Sequence, residues 1–556
     1  MKLNKYILPI ALAVSALSFS SCNDFLDRHP QGQFTEDDNP GALAEGKVFN
    51  IYTMMRNYNI TAGIPAFAIE YFRSEDSEKG STASDGADQA AMYDDFQYNT
   101  NNGLIKAYWS QNYAIIYQCN DVIETIEKGN LTEENDLRNK GEALFFRAYC
   151  YFNLVRAFGE VPLVTFKVND ASEANVPKTT AEEIYKQIDS DLTQAEGLLP
   201  RQWQSAYLGR LTWGSARALH ARTYMMRNDW QNMYTASTDV MNSGQYNLDT
   251  PYDVIFTDDG ENSSESVFEL QCASTAALPA SDKIGSQFCE VQGVRGSGQW
   301  DLGWGWHMGT ELMGEAFEPG DPRKDATLLY FRRSDDDPIT PENTNKPYGE
   351  SPVSQADGAY FNKKAYTNPA LREEFTRHGF WVNIRIIRYG DVVLMAAESA
   401  NELGKTGEAS GYLEMVRARA RGNNPDILPK ECTAVLGRTK SARITTMINS
   451  ILANSEGDVK VGAEENEAFL ALRDFMYATV YVDRSAKREE QKVGKVIEEL
   501  YEYYLSHIDQ MSNFYVQLAY QEGRERAVTD YISGMSDEFA IRTFEEIFVP
   551  QKWHVL

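Results

Sequence analysis

Residues 141–158 (GEALFFRAYCYFNLVRAF) would be apolar around most of the circumference of an α-helix. Such a helix is stable only where other elements cover it on every side, so it predicts an interior position. Gly159 and Pro162 stop it. Two amphipathic partners flank it in sequence. Residues 104–128 place Trp109, Tyr113, Ile116, Tyr117, Asn120, Ile123 and Ile126 at three- and four-residue steps. Residues 180–198 enter a helix through Thr179-Thr180, with acids in the first turn.

Two later segments share one plan. Residues 211–243 and 386–421 each read as helix, polar turn, helix, with small residues on the first helix. Tetratricopeptide-like hairpins have this form, with about 34 residues per unit, and bury their faces by stacking on neighbours. Two unrelated antiparallel helix pairs are the alternative. Between them, residues 245–385 are rich in Gly, Pro, Asp, Asn and aromatics, with brief strand-like runs such as 266–271. Residues 74–102 form a second irregular stretch. Loops this long inside a folded domain more often carry function than not. The expected fold is mostly α: a tetratricopeptide-like hairpin scaffold with long irregular loops and a few short strands. The expected divisions are a signal peptide (1–21), a tether (22–40), an N-terminal helical part (41–244), a loop-rich ligand-facing region (245–385) and a C-terminal part (386–556). The last three are expected to form one compact body.

The N-terminus reads as an export signal. Lys2 and Lys5 precede an apolar run at 7–19, which is shorter than the roughly 20 residues a membrane span needs. Ser20, Ser21 and Cys22 follow, with Phe19 where an aliphatic residue is usual in a lipoprotein signal. Small residues fit a protease cleft and the Cys22 thiol is the nucleophile that accepts lipid, so Cys22 is the expected lipidation site. Palmitate and other acyl chains there would hold the protein to a membrane, each buried methylene contributing about 0.8 kcal/mol. Loss of the signal's two lysines leaves 51 basic against 81 acidic residues, a net charge of −30. Such a surface repels phosphate, so nucleic acid is excluded as a partner. Cys119, Cys150, Cys272, Cys289 and Cys432 show no CxxC spacing, and Cys119 and Cys150 sit in apolar helical patterns as small hydrophobes.

No catalytic constellation is legible. The six histidines are dispersed, with neither HExxH nor Cys/His ligand spacing. Gly404-Lys405-Thr406 lacks the leading glycine of a phosphate-binding loop, because Ser399 stands there. The acid pairs Glu75/Asp76 and Asp94/Asp95 do not define a glycosidase geometry. Asp335-Asp336-Asp337 reads as a solvated acidic turn in preference to a calcium site. The expectation is a protein that is not an enzyme and uses no metal or cofactor. A hydrolase with an unrecognised carboxylate pair and a pure assembly scaffold are the rivals.

The remaining signal is aromatic. Trp300, Trp304 and Trp306 fall within seven residues among glycines (GSGQWDLGWGWHMG, 296–309). Aromatic rings on such a loop suit stacking on the C–H face of a sugar, with neighbouring polar groups orienting its hydroxyls. Tyr93, Phe96 and Tyr98 on the earlier irregular stretch are further ligand-binding candidates. The competing reading folds the tryptophans back as a plug on the helical core.

Several segments resemble the SusD/RagB family, surface lipoproteins of Bacteroidetes. They are SCNDFLDRHP (21–30), WSQNYAIIYQCNDVI (109–123), EALFFRAYCYFNLVRAFGEVPLV (142–164), residues 304–323 with Thr310-Glu311-Leu312 and Gly320-Asp321-Pro322-Arg323, and IRYGDVVLMAAESANELG with VRARA (387–420). The resemblance implies a SusD-like helical fold, glycan binding, and delivery of the nutrient to a SusC-like TonB-dependent transporter. It also implies a lipid-anchored place on the outer membrane facing the cell exterior. Some relatives are thought to carry peptides, so a peptide-binding uptake lipoprotein is the alternative. The family's E-G-R helix has its nearest candidate at Glu522-Gly523-Arg524, far beyond Arg421.

Overall fold

The computed structural model describes residues 40–86, 90–318, 321–330, 345–350, 360–421, 430–437, 440–455, 458–479 and 490–548. The expected signal, Cys22 and the acidic turn at 335–337 lie outside these residues. The chain divides into two compact units, Met1–Gly422 and Asn423–Leu556. This corrects the expected single body, because the second unit builds an apolar core of its own from Leu500, Tyr504, Met511, Ala519, Ala527 and Val528. Among the described residues no helix is long and apolar enough to cross a membrane.

The first unit is organised on helices α1 (Pro40–Met55), α2 (Ile64–Glu70), α3 (Gly103–Lys128), α4 (Glu134–Phe158), α5 (Ala181–Leu198), α6 (Trp213–Met225) and α7 (Trp230–Asn242). Short helices α8 (Phe288–Gln292), α9 (Glu311–Ala316), α10 (Pro322–Thr327) and α11 (Pro369–Arg372) follow. The scaffold then resumes with α12 (Tyr389–Glu402) and α13 (Thr406–Arg421). Helix α4 is the interior helix that its composition demands. Residues 141–148 are all buried, and Gly159 closes the helix in the left-handed region at φ 71°. Thr180 caps α5 by accepting from the Glu183 amide. Successive helices from α3 to α7 pack pairwise, α7 packs directly on α12, and α12 on α13. The two sequence-related hairpins are therefore neighbours although more than a hundred residues separate them, as stacking repeats require.

Polar groups inside this core fix its register. Arg147 of α4 makes a bidentate pair with Asp191 of α5, Nε to Oδ2 at 2.8 Å and Nη2 to Oδ1 at 2.6 Å. Its Nη1 also donates to Asn120 Oδ1 of α3 at 2.8 Å. Glu142, one turn and a half earlier, accepts from Arg210 Nε at 2.9 Å and from the Tyr52 hydroxyl of α1. Each tie binds α4 to a different neighbour.

Strands are short. β1 (Ser77–Gly80), β5 (Trp306–Gly309), β7 (Tyr360–Asn362) and β6 (Leu328–Tyr330) form an antiparallel sheet in the order β1-β5-β7-β6. β2 (Val161–Pro162) pairs with β3 (Lys178–Thr179), and β4 (Ser266–Leu270) pairs antiparallel with β8 (Ile384–Arg388). β8 leads straight into α12, so the inserted region is anchored to the helical scaffold where it ends. The strand-like run read at 266–271 is β4.

Replacing Arg147 with Met strips the fully buried Asp191 of its bidentate partner. The expected cost is about 3–5 kcal/mol in urea unfolding of the first unit. A loss below about 1 kcal/mol would show that the pair is not structural.

Candidate functional site

A cleft of about 380 Å³ opens between the four-stranded sheet and the β4/β8 pair. Its walls come from the turn after α2 (Tyr71, Ser74, Asp76), from β5 (His307, Met308, Gly309) and from β8 (Asn383, Arg385, Arg388). Phe256, Phe288, Asn362 and Lys364 line it as well. This is the concave, largely apolar setting with a few convergent polar groups that small-molecule and oligomer ligands require.

The aromatic part is built on His307. Its ring stacks on Tyr71 with centroids 4.8 Å apart and planes 17° from parallel. Phe67 packs against the same imidazole at 5.0 Å. His307 has φ 58°, a conformation that costs a residue with a Cβ and that its surroundings must hold in place. Burial, reinforced by the charge of Lys364, pulls its pKa down to about 4, so the ring is neutral at neutral pH. Gln292 Oε1 accepts from Asn362 Nδ2 and contacts His307 Nδ1, each at 2.7 Å. Nδ1 therefore carries the hydrogen, which leaves Nε2 as an acceptor. Tyr71 is 40% exposed. Ser74 and Ser77 hydroxyls both donate to the Tyr71 carbonyl, at 2.8 and 3.2 Å, and fix the turn that presents the ring. A neutral ring thus backs an exposed, oriented aromatic face.

The polar part lies on β7, β8 and the turn after β7. Arg388 Nη1 pairs with Glu265 Oε1 at 2.7 Å. Arg385 donates to the carbonyls of Asn383 and Thr257, and lies 3.6 Å from Glu261 and from Glu269. Burial pushes the Glu261 carboxyl up to about 7. The Lys364 ammonium sits 4.6 Å from the Phe256 ring centre, and burial pushes its pKa down.

The sequence candidates scatter. Trp300 is 6% exposed and packs in a core cluster with Val294, Leu302, Met308 and Phe361. Trp306 and Tyr93 are buried together in the cluster around Phe67 and Phe72, with the Lys79 ammonium 5.0 Å from the Trp306 ring. These three are corrections to the ligand-facing expectation. β5 pairs with β1 in a register that sets Trp306 opposite Gly80, and that face is covered. Tyr98 is half-buried and stacks on Tyr93 at 4.7 Å. Trp304 and Phe96 are exposed, at 36% and 61%. Trp304 lies 6.2 Å from the Tyr58 ring, and its amide donates to the Glu290 carbonyl at 2.8 Å. None of the six lines the cleft. Sequence reasoning missed Tyr71, His307 and Lys364. The available signal was an aromatic at the head of the acidic irregular stretch and a histidine inside the Gly/Trp run.

Family comparisons agree with this architecture. Residues 24–225 match the model described as "Starch-binding associating with outer membrane", and residues 219–436 match that of the SusD family. Through these residues the chain belongs to the SusD/RagB family. A SusD-like protein P2 from Formosa agariphila is 28% identical over 334 residues, which are 59% of this chain and 64% of that protein. A solved structure titled "Laminarin binding SusD-like protein" superposes with a TM-score of 0.57 at 24% identity, covering 78% of this chain and 93% of that one. The C-terminal unit is different. Residues 459–546 match a phosphohydrolase-associated domain. A deoxyguanosinetriphosphate triphosphohydrolase-like protein from Caldanaerobacter subterraneus is 42% identical over 137 residues, 24% of this chain. The chain spans 40% of that relative's length and 64% of the SusD-like one's. The SusD likeness therefore ends at 436, which corrects the C-terminal SusD-like part expected to run to 556. Glu522-Gly523-Arg524 falls inside the phosphohydrolase-associated match, where Gly523 at φ 98° joins two helices.

Alanine at Trp300 or Trp306 should cost about 3–5 kcal/mol of first-unit stability, as removal of buried tryptophans does. The same change at Trp304 or Tyr71, each more than a third exposed, should cost less than that. Denaturant unfolding of the four variants measures this, and a reversed order would contradict the placement of the rings.

Proposed function

We propose that this protein is a cell-surface binding lipoprotein that captures an oligosaccharide in the cleft headed by Tyr71 and passes it to a SusC-like TonB-dependent transporter in the outer membrane. The observation that carries this reading is the Tyr71–His307 stack. One face of the tyrosine is fixed against a neutral ring, and the ring remains exposed at a cleft with polar groups on its other walls. Aromatic faces of this kind meet the C–H face of a sugar, while amides, hydroxyls and charged groups orient its substituents. Membership of the SusD/RagB family supports glycan binding, and the laminarin-binding relative shares the fold. Binding, and not bond cleavage, is the assigned role. The C-terminal unit matches part of a triphosphohydrolase-like protein, 40% of its length.

Titration calorimetry of the full chain against a panel of plant and algal oligosaccharides tests the reading. At least one should bind, and Tyr71→Ala should weaken it by about tenfold or more, the loss of one stacking contact and its buried area. Binding of peptides only, or undiminished glycan affinity in the variant, would overturn the site. Incubation with dGTP and Mg²⁺ should release no tripolyphosphate, whereas turnover would make the chain an enzyme.

Cys22 is assigned as the lipid anchor. Cys22→Ser should leave glycan affinity unchanged and move the protein from the membrane fraction to the soluble one. A variant that stays with membranes would contradict the anchor.

A further inference from the structure

We infer that the cleft selects acidic glycans, with the Lys364 ammonium receiving a carboxylate or sulfate group of the bound chain. This inference rests on the cleft being the glycan site and specifies the ligand class.

The chain carries 81 acidic residues against 53 basic ones, so carboxylates are plentiful in it. The other two cations of the cleft have carboxylates: Glu265 for Arg388, and Glu261 with Glu269 for Arg385. Glu265 is moreover shared with Arg419. Lys364 differs. Among the described residues no carboxylate lies within ion-pair distance of it. Its surroundings are the Phe256 ring at 4.6 Å, the Tyr252 ring at 5.8 Å, the Tyr252 hydroxyl as a hydrogen-bond partner, and Arg388 as a like charge. Tyr252 in turn reaches Thr327 Oγ1 at 3.2 Å.

A half-buried ammonium without an anion loses hydration and gains no compensating pair. The depressed Lys364 pKa records that cost, with burial as its main cause. A ligand anion reaching Lys364 would remove the cost. The one acid among the cleft's lining residues, Asp76, comes from the turn after α2, and it forms no ion pair with Lys364. The division of labour is then clear: Tyr71 takes the ring face of a sugar, and Lys364 takes the acidic substituent. A neutral glycan offers Lys364 only hydroxyl oxygens, which accept a hydrogen bond and leave its charge without a counter-ion.

The test compares matched ligands on the full chain by calorimetry. Oligogalacturonates are set beside their carboxyl-reduced forms, and chondroitin sulfate oligosaccharides beside their desulfated forms. The acidic member of at least one pair should bind about tenfold or more tightly, as charge-assisted hydrogen bonds in a partly desolvated site allow. The pair that shows the effect identifies carboxylate or sulfate as the recognised group. Lys364→Met retains the stem over Phe256 and should abolish the preference. Lys364→Arg should keep it, and equal melting temperatures would show that both variants fold. Equal affinity for charged and neutral partners, or a preference unchanged in Lys364→Met, would overturn the inference while the glycan-binding role stands. Failure of every glycan, neutral or acidic, would remove that role too.

Discussion

The first unit depends on the enclosure of α4. A helix apolar on nearly every face has no stable position at a surface, so α1, α3, α5 and α6 must surround it. Hydrophobic enclosure alone does not say which neighbour goes where, because it is non-directional. Glu142 and Arg147 supply the direction. The first points to Tyr52 and Arg210, the second to Asp191 and Asn120. Both are buried, and a buried charge is tolerated only in its paired geometry. The helix therefore behaves as an axle whose two polar contacts index the surrounding helices.

From that axle the site follows by succession. The helices stack to α7, α12 docks on α7, and β8 runs into α12 without a linker. The β4/β8 pair is thereby held by the scaffold at the point where the inserted region returns. The second wall is the sheet made by β1 and β5, whose register places His307 beside Tyr71. Loop-borne side chains gain the precision of a rigid frame because strands from two distant parts of the sequence close on each other.

The helices were legible because a 3.6-residue apolar period is visible in one segment at a time. Residues 104–128, 180–198 and both hairpins fall within a few residues of their observed positions. The strands were not, apart from β4, because runs of three or four residues are too short to show alternation, and β1 pairs with β5 across more than two hundred residues. The site was harder still. Tryptophan abundance drew attention to Trp300 and Trp306, but a large ring is as suited to burial as to stacking, and tertiary pairing decides between them. Tyr71 stands alone in sequence and acquires meaning only from His307 beneath it. The C-terminal unit has generic helical texture, so nothing in its periodicity distinguishes a SusD-like tail from a phosphohydrolase-associated domain. That distinction came from its separate core and from its relatives.

Ligand is expected to sit on Tyr71 and to reach Lys364 on the turn after β7. A crystal structure of the chain with a bound oligosaccharide tests it most directly. The expected complex has a sugar ring stacked on Tyr71, with a substituent within hydrogen-bond distance of Lys364. A ligand seated on Trp304 and Tyr58, with the cleft unoccupied, would contradict it.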